Sequence, residues 1–178
     1  MSEPLSFDPI EEAGRQWRRH WPGGPVEAMQ AVTSVMRVQQ ILLARLNEAL
    51  EPYGLTFARY EALMLLYFSR SGALPLGKIG ARLQVHKASV TNLIDGLAEQ
   101  RLVRRTPHPT DGRVTLAEIT DRGREVVKRA TPALNRARFG LESLGDDALT
   151  ELYALLEQVR VAAGDYRPNR PENGLTPD

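Results

Sequence analysis

The chain has 178 residues, 42% hydrophobic and 25% charged, the make-up of one folded domain or of one domain with an extension. It has no cysteine, which excludes disulfides, thiol catalysis and most structural zinc sites, and its three histidines (His20, His86, His108) lie far apart, so no metal site is expected. The net charge is +1, no run approaches the ~18 apolar residues of a membrane span, and no basic region followed by an apolar run opens the chain, so a cytoplasmic protein without membrane contact is expected.

Asp8 and Pro9 read as the cap and first residue of a helix, with Glu11 placed to return a bond to the cap. Ile10, Ala13, Trp17 and Trp21 recur at helical spacing, so both tryptophans share a face; Pro22-Gly23-Gly24-Pro25 ends the element. A long helix is predicted over 26–50, where Met29, Val32, Met36, Gln39, Leu43, Leu46 and Leu50 step by three and four, all apolar except Gln39. Val35, Val38 and Leu42 widen this stripe enough for more than one neighbour. A third helix, over 57–69 with Thr56 as cap, turns Tyr60, Leu63, Met64, Tyr67 and Phe68 inward. Leu74-Pro75-Leu76 reads as a short extended segment, and a short helix follows over 77–83.

Within 84–99 a helix has Val90, Leu93, Ile94 and Leu97 on one face. Ala88, Asn92 and Asp95 lie opposite, with Ser89 and Thr91 on the flanks, so the helix has a dry back and a small, polar front. Strands over 102–106 and 114–119 bracket a turn-rich segment in which Asp111-Gly112 is a hairpin signal. Thr120 caps a further helical segment bearing Val127, Ala130, Leu134, Ala137, Leu141 and Leu144, which Thr131-Pro132 is expected to kink or restart. After Gly145, the residues Leu149, Leu152, Leu156, Val159 and Ala163 repeat the spacing. The last residues are rich in Pro, Gly and Asn and are expected to be disordered.

The middle of the chain thus runs helix, helix, helix, hairpin, the order of a winged helix-turn-helix, in which the second helix of the pair enters the major groove of DNA. From Lys78 to Arg113 seven basic residues stand against three acidic ones, although the whole chain is nearly neutral. Small polar side chains on a helix front allow close approach to base edges, and a lone arginine at a hairpin tip suits a narrow, electronegative minor groove. Ser89-Val90-Thr91-Asn92-Leu93-Ile94-Asp95, Leu102-Val103-Arg104-Arg105, and Asp111-Gly112-Arg113 followed by Leu116, Ile119-Thr120 and Gly123 together resemble the MarR (multiple-antibiotic-resistance regulator) family. The chain departs from the family at three places: Gly112 where a second arginine is frequent, Gln100-Arg101 where a glycine often closes the helix, and Lys87 where a proline is frequent.

The fold class expected is mainly α with a small β-hairpin wing, a winged helix-turn-helix joined to a helical dimerisation region. Its divisions are an N-terminal helix extension (1–25), a dimerisation region (26–55 and 120–165), the winged DNA-binding domain (56–119) and a disordered tail (166–178). The resemblance implies a homodimer on a pseudo-palindromic site in double-stranded DNA, acting as repressor or activator and modulated by small aromatic or phenolic ligands. The residues assigned to DNA are His86 and Lys87, at the helix start where phosphate contact is as natural as base contact, Ser89, Thr91 and Asn92 on the helix front, Arg104 on a strand, and Arg113 at the wing tip. Arg104 and Arg105 point to opposite sides of their strand, so at most one faces DNA. An aromatic acid effector would find Trp17, Trp21, Tyr60, Met64 and Tyr67 as walls, with the basic residues of the first helix nearby; core packing is the commoner role for such tryptophans.

No Gly-x-Ser-x-Gly elbow, phosphate-binding glycine loop or His-Glu-x-x-His pair is present, so neither catalysis nor a cofactor is expected. The competing class is a winged-helix module that binds protein. Such a module would show an apolar recognition front, whereas this front is Ser, Thr and Asn.

Overall fold

The computed structural model describes residues 4–167, in two compact units, 1–45 and 46–178. The expected tail lies from 168 onward outside the described residues.

The first unit holds α1 (Pro9–His20) and most of α2 (Val26–Leu50), whose last residues belong to the second unit. Asp8 caps α1 as expected, its carboxylate accepting from Ile10 N–H at 2.8 Å. Glu11 does not return the bond: it and Glu12 reach forward along the helix to Arg15, at 2.9 and 2.6 Å, where a full charge outcompetes an amide. Gly14 lies where a Cβ would come 2.6 Å from Gln30 Nε2, which lets α1 and α2 approach closely. The rings of Trp17 and Trp21 are 4.9 Å apart, sharing a face as the spacing predicts. Along α2 a row of apolar side chains, Val32, Val35, Met36, Val38, Ile41 and Leu43, is exposed.

The second unit opens with a 3-10 turn (Glu51–Tyr53) closed by Gly54 in the left-handed region. Helix α3 (Phe57–Phe68) is capped twice: Asn47 Oδ1 accepts from Phe57 N–H at 2.8 Å and Thr56 Oγ1 from Arg59 N–H. Helices α4 (Leu76–Leu83), α5 (Lys87–Glu99) and α6 (Asp121–Arg136) complete the winged unit. Their apolar faces, with those of α3 and the sheet, bury Leu63, Leu66, Ile79, Val90, Ile94, Leu97, Ala117, Val127 and Leu134 into one core.

The sheet has three strands rather than the two of the expected hairpin. Between β2 (Val103–Pro107) and β1 (Ala73–Pro75) lies β3 (Thr115–Ile119), and both pairings are antiparallel. Strand β1 is the segment read as merely extended, and it matches Ala73 to Glu118 and Pro75 to Leu116. Pro75 brings no N–H, which an edge strand tolerates.

A joint follows the sheet. Thr120 Oγ1 accepts from Gly123 N–H at 3.1 Å and donates to Arg101 O at 2.8 Å, while Thr120 N–H donates to Leu102 O at 3.0 Å. A Cβ on Gly123 would stand 2.2 Å from that Leu102 oxygen, so the Thr-x-x-Gly spacing anchors α6 against the start of β2. Pro132 lies inside α6, and the helix is not interrupted there. The break comes later, in a 3-10 turn (Arg138–Gly140) with Phe139 and Gly140 both at positive φ, so Ala137, Leu141 and Leu144 do not continue the α6 stripe. Proline removes one N–H donor, and Thr131 Oγ1, bonded to Val127 O at 2.9 Å, engages a carbonyl of the same turn. Finally α7 (Asp146–Ala162) has no buried residue. No helix among the described residues is long and apolar enough to cross a membrane.

Candidate nucleic-acid interface

The turn between α4 and α5 is built without a glycine at its tightest point. Gln84 takes φ +52, ψ 41 and donates its N–H to Gly80 O. Gly80 leaves no room for a side chain: a Cβ there would meet Val90 Cγ2 at 3.0 Å and Val85 O at 3.3 Å. The Val90 side chain is therefore seated against the Gly80 backbone, and the start of α5 faces outward with His86, Lys87, Ala88 and Ser89 exposed.

On α5, Val90, Ile94, Gly96 and Leu97 are buried, while His86, Lys87, Ala88, Ser89 and Asn92 are exposed. His86 occupies the cap position but makes no side-chain capping bond. Among the described residues, Ser89 and Asn92 have no side-chain hydrogen bond and Lys87 has no ion pair. Thr91 differs: it is half-buried and donates its hydroxyl to Lys87 O at 3.1 Å. The helix ends with Arg101 N–H bonded to Ala98 O and Leu102 N–H to Leu97 O, both at 2.9 Å, the pair of bonds that closes a helix around a left-handed residue. That residue is Arg101 (φ +59), so the position where the family prefers glycine keeps the glycine conformation with an arginine in it.

The two strand arginines have intramolecular partners. Arg104 and its register partner Glu118 form a two-pronged ion pair, 2.9 and 2.6 Å. The guanidinium holds the Glu118 carboxyl below its usual range and is itself pushed up by the carboxylate. Arg105, on the other side of β2, pairs with Asp95 on α5 at 3.1 Å. Arg104, assigned to DNA from sequence, is paired within the sheet while its side chain stays 65% exposed, and Arg105 ties the wing to the front of α5. Strand alternation separates the two arginines, but nothing in the spacing names their partners.

The wing tip is a loop, not a two-residue turn. His108 N–H donates to Val114 O and Val114 N–H to Asp111 O, each at 3.0 Å, and Asp111 Oδ1 accepts from Arg113 N–H at 3.0 Å. Gly112 is not at positive φ, so the Asp-Gly pair marks the hairpin without forming the tight turn it favours. Arg113 is exposed, and among the described residues its guanidinium has no ion pair.

The residues assigned to an effector fall in both units. In the first, Trp17 is half-covered, with an Nε1 that meets no acceptor, and Trp21 is 60% exposed. In the second, Tyr60 is buried and shares a hydrogen bond with Thr131 at 3.0 Å, the role of a core residue, while Met64 and Tyr67 are half-buried. Two cavities, of about 410 Å³ beside Asn47, Glu51 and Leu55 and about 210 Å³ between α4 and α5, are lined by none of these five. No cluster of three metal-ligating side chains occurs among the described residues.

Residues 53–114 match the model of the MarR family. The uncharacterised HTH-type transcriptional regulator YhbI of Bacillus subtilis is 33% identical over 95 residues, which are 53% of this chain and 59% of YhbI. The chain spans about half to three fifths of the length of the first such curated relatives. The crystal structure of Sco5413, a MarR family transcriptional regulator from Streptomyces coelicolor, is 53% identical, with a TM-score of 0.75 over 80% of this chain and 99% of that one. The structure of CouR from Rhodococcus jostii RHA1, bound to p-coumaroyl-CoA, is 25% identical, with a TM-score of 0.62 over 70% of this chain and 87% of that one.

Proposed function

The chain belongs to the MarR family of transcriptional regulators, and from that premise we propose that it binds double-stranded DNA as a homodimer on a pseudo-palindromic operator. The observation that carries the reading is the front of α5: Ser89 and Asn92 are exposed, polar and unspent on their own fold, beside an exposed Lys87. Side chains of this size reach donor and acceptor groups on base edges in the major groove, with Asn92 suited to a paired contact with adenine. His86 and Lys87, at the helix start, meet phosphates, and Arg113 extends from the wing into the minor groove. The Arg105–Asp95 and Arg104–Glu118 pairs stiffen the head that carries the reading, and the exposed Arg104 faces the phosphates rather than the bases. A protein-binding role for the same face would call for an apolar front.

The homodimer is supported by α7, which buries none of its residues while exposing Leu155 (56%) and Val159 (67%), and by the exposed apolar row of α2. Two copies would present their α5 helices about one DNA turn, ~34 Å, apart.

The test is selection of bound duplexes from a random pool followed by titration of variants. Arg113→Ala should weaken binding to the selected duplex by about 1–3 kcal/mol, and Asn92→Ala should relax preference at one base pair per half-site. Unchanged affinity of Arg113→Ala at moderate salt would remove the wing from the interface.

A small aromatic acid as effector is the finer part of this reading. Its support is the p-coumaroyl-CoA bound to CouR and the paired rings of Trp17 and Trp21 at the end of α1. Salicylate or 4-hydroxycinnamate should release the selected duplex saturably, a 5–150-fold change in affinity corresponding to about 1–3 kcal/mol of coupling. A flat response across a panel of aromatic acids would end the effector claim and leave DNA binding standing.

A further inference from the structure

Helix α7 closes around Gly164 at φ +73. Gly164 N–H donates to Val161 O and Asp165 N–H to Arg160 O, both at 3.0 Å, the reciprocal bonds that reverse a chain at a helix end. The reversal delivers Asp165 to the turn between α4 and α5, where its Oδ1 accepts a hydrogen bond from Gln84 Nε2. The carboxylate is held from behind. Its second oxygen lies 3.8 Å from Arg160 Nη1, and the Arg160 guanidinium sits 5.5 Å from the ring centres of both Tyr153 and Tyr166. Tyr166 in turn donates its hydroxyl to Glu157.

Gln84 is the left-handed, non-glycine residue on which the α4–α5 turn depends, two positions before the cap of α5. Glutamine has no intrinsic preference for that conformation, so the side-chain bond to Asp165 adds to the hold of its own N–H on Gly80 O. We propose that Asp165 is a positioning residue for DNA recognition, fixing through Gln84 the turn that sets the start of α5 and hence the direction of Lys87, Ser89 and Asn92. The end of α7 thereby becomes mechanically continuous with the recognition helix. The proposal rests on the DNA-binding reading above.

The full chain carries the test, with Gln84→Asn, Asp165→Ala, their double variant and Asp165→Asn. Asparagine at 84 tolerates the left-handed conformation but is one methylene too short to reach. Gln84→Asn and Asp165→Ala should each lose about three- to tenfold in affinity for the selected duplex, the double variant no more than either. Binding to an unselected duplex and the melting midpoint should not move, and Asp165→Asn, which keeps an acceptor oxygen, should stay near wild type. Additive losses, or equal losses on both duplexes, would overturn the latch. If the wild-type chain selects no duplex at all, the DNA-binding reading fails on its own, and the latch is read in the free protein by hydrogen exchange. Asp165→Ala must then speed exchange of the amides over 85–91 several-fold, and unchanged protection would refute it.

Discussion

Glu61 shows how one side chain records its surroundings. It is half-buried on α3 without a hydrogen-bond partner among the described residues, and burial alone raises its carboxyl above the ordinary glutamate value of 4.5. Because the protonated form fits the folded chain better, the folded state binds that proton more tightly than the unfolded state. Stability therefore falls as pH rises through the interval above 4.5, and the full penalty stands at neutral pH. Glu61→Gln should raise the unfolding midpoint at pH 7 and leave it unchanged below the ordinary glutamate range. An equal gain at both pH values would trace the effect to shape rather than ionisation. Such single-residue facts are the least legible in sequence. Glu61 looks like any helix-surface glutamate, and Arg104 and Arg105 look alike, because burial and ion pairing are decided by neighbours far along the chain. Gln84 and Arg101 likewise give no sign of their left-handed backbones.

Elements are far more legible in the sequence, for a physical reason. The apolar stripe of α2, the Asp8-Pro9 start of α1 and the Thr120 start of α6 are local patterns, and local patterns survive without tertiary context. Strand β1 escaped because three residues cannot display an alternation, and its partner β3 lies some forty positions on. Proline at 132 carries a strong local signal that tertiary packing overrode: α6 is pinned on either side by buried Ala130 and Leu134. The joint from Thr120 to Gly123 turns a short motif into a measurable quantity. Gly123→Ala would drive a methyl group against the Leu102 backbone oxygen and should destabilise the fold by about 3 kcal/mol, read from the urea midpoint. Gly112→Ala, in open space on the wing, is the matched control and should be close to neutral. Similar losses for the two would mean that the joint yields and that the motif is not a steric one.

At the scale of the molecule, the exposed apolar residues of α7 and α2 make a statement about assembly. Leu156 and Val159 lie one helical step apart, at 39% and 67% exposure, a pairing that serves a partner helix better than water. Leu156→Asp combined with Val159→Asp should convert the sedimenting species from twice the chain mass to one chain mass while leaving the far-ultraviolet spectrum helical. A wild-type chain that sediments as a stable monomer at micromolar concentration would refute the dimer outright.

The aromatic residues divide between the two compact units. Both tryptophans, Trp17 and Trp21, lie in the first, with their rings 4.9 Å apart, and all five tyrosines lie in the second. Light absorbed only by indole therefore excites a chromophore pair that reports on the first unit alone, whereas the tyrosine fine structure of the second-derivative absorbance spectrum follows the second unit. Without any label, a melt followed by these two signals separates the loss of one unit from the loss of the other. Emission that shifts before phenol absorbance changes would mean that the units come apart in sequence rather than together.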